Sequence, residues 1–353
     1  MKSVRVLGEW INGLPVGCEL CIEGDKTVIF VTGACHDNCY YCPISNERRR
    51  GDAFYVDEEE ISSVDELLTY IEIVGGRGAS LTGGDPLLVL EKTIDIIKAL
   101  KNYFGEKFHI HLYTSGRYAD LGALRSLERA GLDEIRFHPI DKRYWEKIRL
   151  AKEYTNMSVG AEIPAIPGQE SYLKELILYL EKIGAEFINL NELEVSETNK
   201  EALLFRGFRI NTDGVSISGS RETALEILKW ARENNLRIKV HFCPARLKDA
   251  VQTLKRLRRI SERIRAPHQH ITRDGLLTWV EIETGSEDPW VESILRDKYI
   301  YTYRDGVYYV EPSIDKSILR LIKRRYSVRL IERSPVVLSK VNRRNIIENI
   351  YEL

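Results

Sequence analysis

Methionine, cysteine and long apolar runs are all scarce in this chain. Two Met and six Cys occur in 353 residues. So few cysteines cannot make a disulfide framework for a chain of this size, and a reducing compartment is expected. No apolar stretch approaches the ~18 residues that a membrane-spanning helix needs. The opening MKSVRVLGEW has no apolar signal core. A cytoplasmic protein without a membrane span is the expectation. No repeat and no low-complexity tract interrupts the sequence. An overall excess of one charge is missing too, since 52 Lys and Arg nearly balance 53 Asp and Glu.

What is present supports a folded enzyme-sized chain. Hydrophobic residues make up 43%, enough for a proper core, and charged residues 30%. High charge with few Gln and Met is a thermophile-like composition. The near-zero net charge conceals an asymmetry. Residues 240–353 hold 22 Lys and Arg against 15 Asp and Glu, net +7, leaving net −8 on residues 1–239. Basic runs such as KRLRRISERIR either form a solvated helix face or meet an acidic or polynucleotide partner.

The middle of the chain alternates strand and helix. Thr27–Gly33, Ala79–Thr82, Phe108–Thr114, Asp133–His138, Ser158–Ala165, Glu186–Asn191 and Arg237–Phe242 read as strands, with helical periodicity between them. Such alternation implies parallel strands joined by helical crossovers. The fold class expected is α/β: a partial (β/α) barrel of six or seven strands with a smaller C-terminal α+β domain. Boundaries fall at 1–26 for an N-terminal extension, 27–266 for the barrel and 267–353 for the C-terminal domain. An insertion, FRGFRINTDGVSISGS, has a hairpin signal at its Asp-Gly pair. Arg246–Arg265 reads as one basic helix. In the last domain YTYRDGVYYV is a hairpin turning at Asp305-Gly306, and Ile314–Arg325 and Lys340–Tyr351 read as helices.

Cys35, Cys39 and Cys42 form a C-x3-C-x2-C triplet directly after the first of these strands. Three thiolates in eight residues can hold three corners of a [4Fe–4S] cube and leave the fourth iron open. A structural zinc site would more often pair two C-x2-C knuckles, or Cys with His. An open iron is a place where a small molecule binds and receives an electron.

This triplet, with the aromatic Tyr41 before its last cysteine, resembles the radical S-adenosylmethionine (SAM) superfamily. The resemblance implies a [4Fe–4S] cluster whose open iron chelates SAM. It implies reductive cleavage of SAM to a 5′-deoxyadenosyl radical that abstracts hydrogen from a substrate. It also implies an electron donor of the ferredoxin or flavodoxin kind. Within the superfamily the chain is most similar to proteins related to pyruvate formate-lyase activating enzyme. Gly83-Gly84-Asp85-Pro86 resembles the family's GGE motif at the SAM amino group, with Asp85 in place of Glu. Thr114-Ser115-Gly116 resembles its T-x-G turn. Glu162 has the place of a fifth-strand group that reaches the SAM ribose, although pairing with Arg136 is an alternative for a buried carboxylate. Asn191 and Glu192 would line the same cup.

Cys18, Cys21 and Cys243 remain. They suit a second [4Fe–4S] cluster or, with His241, His268 or His270, a zinc ion. Alternatively they are structural thiols, and Cys243 alone could serve as a hydrogen-atom donor or a covalent catalyst. His109 and His111 read as wall histidines, and His138, at a strand end, as a substrate contact. Several substrate classes stay open: RNA or protein docked on the basic C-terminal region through Arg256, Arg259 and Arg263, a small metabolite, or a glycyl-radical enzyme. A non-catalytic metal-binding module is the alternative of another class.

Overall fold

The computed structural model describes residues 8–338 and 348–353, with the backbone alone described at 248–250. It divides into two compact units. Residues up to Thr69 and Gly76–Thr253 form the first; Tyr70–Gly75 and Leu254–Leu353 form the second. The second unit so drawn begins at Leu254, ahead of the boundary expected at 267.

The first unit is built on one sheet. Its strands are β1 (Glu9–Ile11), β2 (Lys26–Thr32), β3 (Tyr55–Val56), β4 (Glu59–Glu60), β5 (Gly78–Gly83), β6 (His109–Thr114), β7 (Glu134–Phe137), β8 (Ser158–Pro164), β9 (Phe187–Asn191) and β10 (Lys239–Cys243). β2 and β5 to β10 are parallel and lie in the order β2-β5-β6-β7-β8-β9-β10, which never reverses. A doubly wound sheet would reverse at a switch point. Sequential order with helical crossovers is the (β/α) barrel pattern, here left open. The helices are α1 (Val16–Glu23), α2 (Val64–Val74, whose residues from Tyr70 on are counted with the second unit), α3 (Leu90–Phe104), α4 (Leu121–Ala130), α5 (Trp145–Tyr154), α6 (Glu170–Ile183), α7 (Lys200–Phe205) and α8 (Ser220–Glu233).

Register sorts the strand residues onto two faces, because side chains alternate along a strand. Leu81, Leu112, Ile135, Val159, Ile188 and Val240 share the apolar face and are buried. The crossover helices pack on that side, α6 and α8 for example through Leu176, Ile177, Ile227 and Leu228. The opposite face carries His111, Tyr113, Glu134, Arg136, Glu162, Asn189 and His241. A polar inner face has to be covered, and α1 covers it. The Gly17 N–H donates to Glu134 Oε2 at 3.3 Å. A Cβ at Gly17 would lie 2.4 Å from Arg136 Nη2 and 2.5 Å from His111 Nδ1, so only glycine permits this approach. The expected N-terminal extension is thus part of the first unit. It contributes α1 and the edge strand β1, which pairs antiparallel with β10.

The second unit opens with α9 (Leu254–Ile264) and is an antiparallel sheet of β11 (His270–Ile271), β12 (Leu277–Glu283), β13 (Tyr301–Arg304), β14 (Val307–Val310), β15 (Ser327–Arg333) and β16 (Glu348–Glu352). Asp305 and Gly306 turn the β13–β14 hairpin with φ of 49° and 83°, the two left-handed residues of a type I′ turn. α10 (Pro289–Leu295) and α11 (Lys316–Ile322) pack on a core of Val280, Ile282, Val291, Tyr308 and Val328. The α+β expectation holds.

Several element expectations need correction. The basic helix Arg246–Arg265 is interrupted. A short turn at Ala245–Leu247 and a π-helical stretch at Lys248–Thr253 precede α9. The expected helix Lys340–Tyr351 is a strand over Glu348–Glu352, its pairing with β15 overriding local propensity; 340–347 lies outside the described residues. The hairpin expected in the insertion is reduced to the bridges Glu194↔Ser216 and Ile210↔Ile217, with α7 ahead of it.

Candidate active site

Active sites of β/α barrels sit at the C-terminal ends of the strands. The loop after β2 carries Cys35, Cys39 and Cys42 there, and its two ends are pinned together. Gly33 N donates to Arg50 O at 3.0 Å, and Thr32 Oγ1 to Gly51 O at 2.8 Å. The loop after β5 braces its entrance: Gly84 N donates to Thr32 O (2.7 Å) and Asp85 N to Ala34 O (2.8 Å). A Cβ at Gly84 would stand 2.0 Å from Ala34 O. The close approach expected of this glycine to a ligand is, in the first place, an approach to the chain's own backbone one residue before Cys35.

Asp85 is 1% exposed. Its carboxylate accepts from Leu87 N (3.1 Å), Thr114 Oγ1 (2.9 Å), Ser115 N (3.2 Å) and Ser115 Oγ (2.8 Å). The GGDP and TSG turns are therefore one tied unit, and the hydroxyls of Thr114 and Ser115 point at Asp85. Burial nonetheless raises the Asp85 carboxyl above its usual value.

Tyr41 is held from two sides. Its hydroxyl lies 3.0 Å from His138 Nε2, and His138 Nδ1 lies 2.9 Å from the Glu162 carbonyl. A carbonyl only accepts, so Nδ1 carries the proton and Nε2 accepts from Tyr41. Burial lowers the His138 pKa and keeps the ring neutral. Asn199, 1% exposed, donates to the carbonyls of Tyr41 and Glu194, both at 2.9 Å. Tyr40 stacks on Phe208 with ring centres 6.5 Å apart. The insertion after β9 thus clasps the residues between Cys39 and Cys42. On the other flank Arg117 Nη1 donates to His36 O at 3.1 Å.

The inner face below holds a charge network. Arg136 lies 2.5 Å from Glu134 Oε1 and 2.7 Å from Glu162 Oε2. Pairing of Glu162 with Arg136, an alternative from sequence, is realised. Asn189 and Asn191 also donate to Glu162, each at 2.9 Å. Burial would raise this carboxyl; the Arg136 charge and the two amides outweigh it and hold it below the usual range. Asn191 Oδ1 is buried without a hydrogen-bond partner. His111 is a wall histidine, fully buried, with neither ring nitrogen hydrogen-bonded; burial holds it well below the usual imidazole value. Lys26 Nζ donates to Ala79 O (2.9 Å) and lies 2.9 Å from His109 Nδ1. Glu192 accepts from Ala245 N at 2.9 Å.

Cys18, Cys21 and Cys243 line one cavity of about 60 Å³ with Glu162, Asn191 and His241. Two triads of cysteine result. Among the described residues no three Cys, His, Asp or Glu side chains converge on a single-ion position. A cube gives each thiolate its own iron, so convergence on one point is not its requirement. The Cys35–Cys42 loop fits such a group in other respects. Asp37 N donates to Cys35 Sγ at 3.4 Å, the loop is pinned, and Cys35 is exposed. Burial pushes the Cys39 thiol up to about 11, so ligation would displace its proton.

His268 and His270 belong to the second unit, and His268 lies 3.2 Å from Thr302 Oγ1. In that unit Arg259 Nε donates to Val74 O (3.1 Å) and Arg263 Nη1 to Glu72 O (3.2 Å). Two of the three arginines expected to face a polyanion are thus engaged with backbone. No helix among the described residues is long and apolar enough to cross a membrane.

Sequence reasoning missed Asn189, Asn199, Arg117 and the Tyr41–His138 bond. Only Asn189 had a signal, since it alternates with Asn191 on β9.

Residues 29–171 match the model of the Radical SAM superfamily. A Methanocaldococcus jannaschii protein, provisionally named a glycyl-radical enzyme activating enzyme, is 40% identical over 285 residues, covering 77% of this chain and 74% of that protein. Biotin synthase of Haemophilus influenzae is 32% identical over 110 residues, 29% of this chain and 30% of that one. The crystal structure of Streptococcus suis SuiB bound to S-adenosylmethionine is 12% identical, with a TM-score of 0.43 over 62% of this chain and 50% of that chain.

Proposed function

The chain belongs to the radical SAM superfamily, and within it we propose that the chain acts on a protein as a glycyl-radical enzyme activating enzyme. It is an iron–sulfur enzyme that cleaves SAM reductively. The observation that carries the protein-substrate reading is the 40% identity, along 77% of the chain, to a relative of that name.

Cys35, Cys39 and Cys42 would hold the [4Fe–4S] cluster. When bound, the cluster and SAM together supply one electron and a 5′-deoxyadenosyl radical for hydrogen abstraction. This chain's residues position and shield that chemistry. Asn199 and His138 fix the aromatic Tyr41 beside Cys42. Asp85 locks the GGDP turn to Ser115 and leaves main-chain groups to meet the SAM amino group. Glu162 keeps a lone pair on Oε1, which accepts from Asn191 Nδ2, and Asn191 Oδ1 is a second acceptor; both suit ribose hydroxyls. The reaction needs an electron donor and a substrate. RNA docking on the basic second unit is the weaker reading, because Arg259 and Arg263 already bind backbone carbonyls.

The test is anaerobic. Reconstituted protein with a low-potential reductant and SAM should release 5′-deoxyadenosine, and Cys39→Ala should release none. Addition of a glycyl-radical polypeptide should give a carbon-centred radical visible by electron paramagnetic resonance. Turnover of SAM with no radical on any such polypeptide would reject the protein-substrate reading and leave the enzyme class standing.

A further inference from the structure

All six cysteines of the chain fall into two triads, and the second has no part in the chemistry above. Cys18 and Cys21 stand one turn apart on α1, and so share a face. Cys243 ends β10, two residues after His241 on the same inward face. These three thiols, from the two ends of the first unit, meet at the same cavity as His241.

The imidazole supplies the independent observation. His241 is 1% exposed, and its Nε2 has no hydrogen-bond partner. Its Nδ1 lies 3.3 Å from Asn189 Oδ1. The Asn189 amide is fixed the other way round, because Nδ2 donates to Glu162 Oε2 at 2.9 Å and to Cys18 Sγ at 3.2 Å. Asn189 Oδ1 must accept, so His241 Nδ1 carries the proton and Nε2 presents a bare lone pair. That is the tautomer in which histidine ligates metal, with its other nitrogen oriented by a hydrogen bond. A buried acceptor left unmet is costly, and a ligand bond would remove that cost.

We propose that Cys18, Cys21, Cys243 and His241 hold a second iron–sulfur cluster, of the two-iron class. Three sulfurs and one nitrogen also suit zinc. Zinc, however, needs its donors around one point, and among the described residues no three converge on one. A cluster spreads its ligands over more than one iron. Two of the donors come from α1 and two from β10, which provides one pair for each iron of a [2Fe–2S] rhomb. Ligation replaces three S–H bonds by S–Fe bonds and releases three protons to solvent.

The experiment uses full-length protein reconstituted anaerobically with iron and sulfide. The Cys35→Ala, Cys39→Ala, Cys42→Ala variant should retain about two irons and two sulfides per chain, with the Mössbauer signature of a two-iron centre. Adding Cys18→Ala and Cys243→Ala should lose them. His241→Ala should keep the iron but shift the electron paramagnetic resonance of the reduced centre. Should the combined variant not fold, the wild type answers the same question with about six irons rather than four. A loop-triad variant that holds no iron, holds zinc instead, or keeps its iron after loss of Cys18 and Cys243 overturns the proposal. Loss of the loop cluster alone bears on the reading of function above and leaves this one standing.

Discussion

Arg136 is the residue whose loss should be felt most. Its guanidinium bridges Glu134 (2.5 Å) and Glu162 (2.7 Å), with side-chain exposures of 2%, 1% and 13% in that order. Arg136→Met keeps the apolar stem and removes the charge, leaving two carboxylates on a covered face. Breaking a buried ion pair from one side costs about 3–5 kcal/mol. Against a stability of about 5–15 kcal/mol, that is about a fifth of the total or more. The deficit should depend on pH. In wild type the Arg136 charge holds the Glu162 carboxyl below its usual value, a stabilisation that is lost as pH falls through that carboxyl's folded value and that the variant never has. Urea titrations of the apoprotein by circular dichroism should therefore show a smaller deficit near pH 5 than near pH 8. Adding Glu134→Gln and Glu162→Gln removes the uncompensated charge and should recover much of the loss. A single variant within about 1 kcal/mol of wild type at both pH values would refute the idea that this network is buried and paired.

Gly84→Ala would drive its Cβ to 2.0 Å from Ala34 O, so the cysteine loop must shift, and iron bound per chain after reconstitution should fall; Gly51→Ala, with nothing within 4 Å, should leave it unchanged. Burial lowers Lys26 from 10.5 to about 8. Between those values the unfolded chain holds a proton that the folded chain has shed, so stability should rise with pH, by up to about 3 kcal/mol. Urea midpoints from pH 8 to 10 should climb in wild type more than in Lys26→Met.

Much of the site could be read in the sequence because it is local. The C-x3-C-x2-C spacing places three thiols on one loop whatever the fold around it. Gly83-Gly84-Asp85 and Thr114-Ser115-Gly116 follow strands whose apolar runs are plain. The β-α alternation set the barrel order. Where local signals misled, pairing decided one case, since Glu348–Glu352 became a strand by joining β15; the basic helix took a π-helical stretch at Lys248–Thr253 that no local signal announces.

The sequence by itself determined the class of chemistry, since a triplet of closely spaced thiols and an alternating strand pattern need no distant partner to be recognised. Only the tertiary structure decided what the polar residues do. Asp85 reads as a ligand group, and the fold also makes its carboxylate the tie between two turns. Glu162 was ambiguous between ribose and arginine, and Arg136, from the neighbouring strand, pairs with one of its two oxygens. Asn199, 158 positions from Tyr41 along the chain, had no signal at all. Cys18 and Cys243 are far apart in sequence and share a cavity because α1 lies across the inner face of a sheet whose last parallel strand is β10. Hydrogen bonds and ion pairs act over a few ångströms, and only the folded backbone fixes which groups come that close.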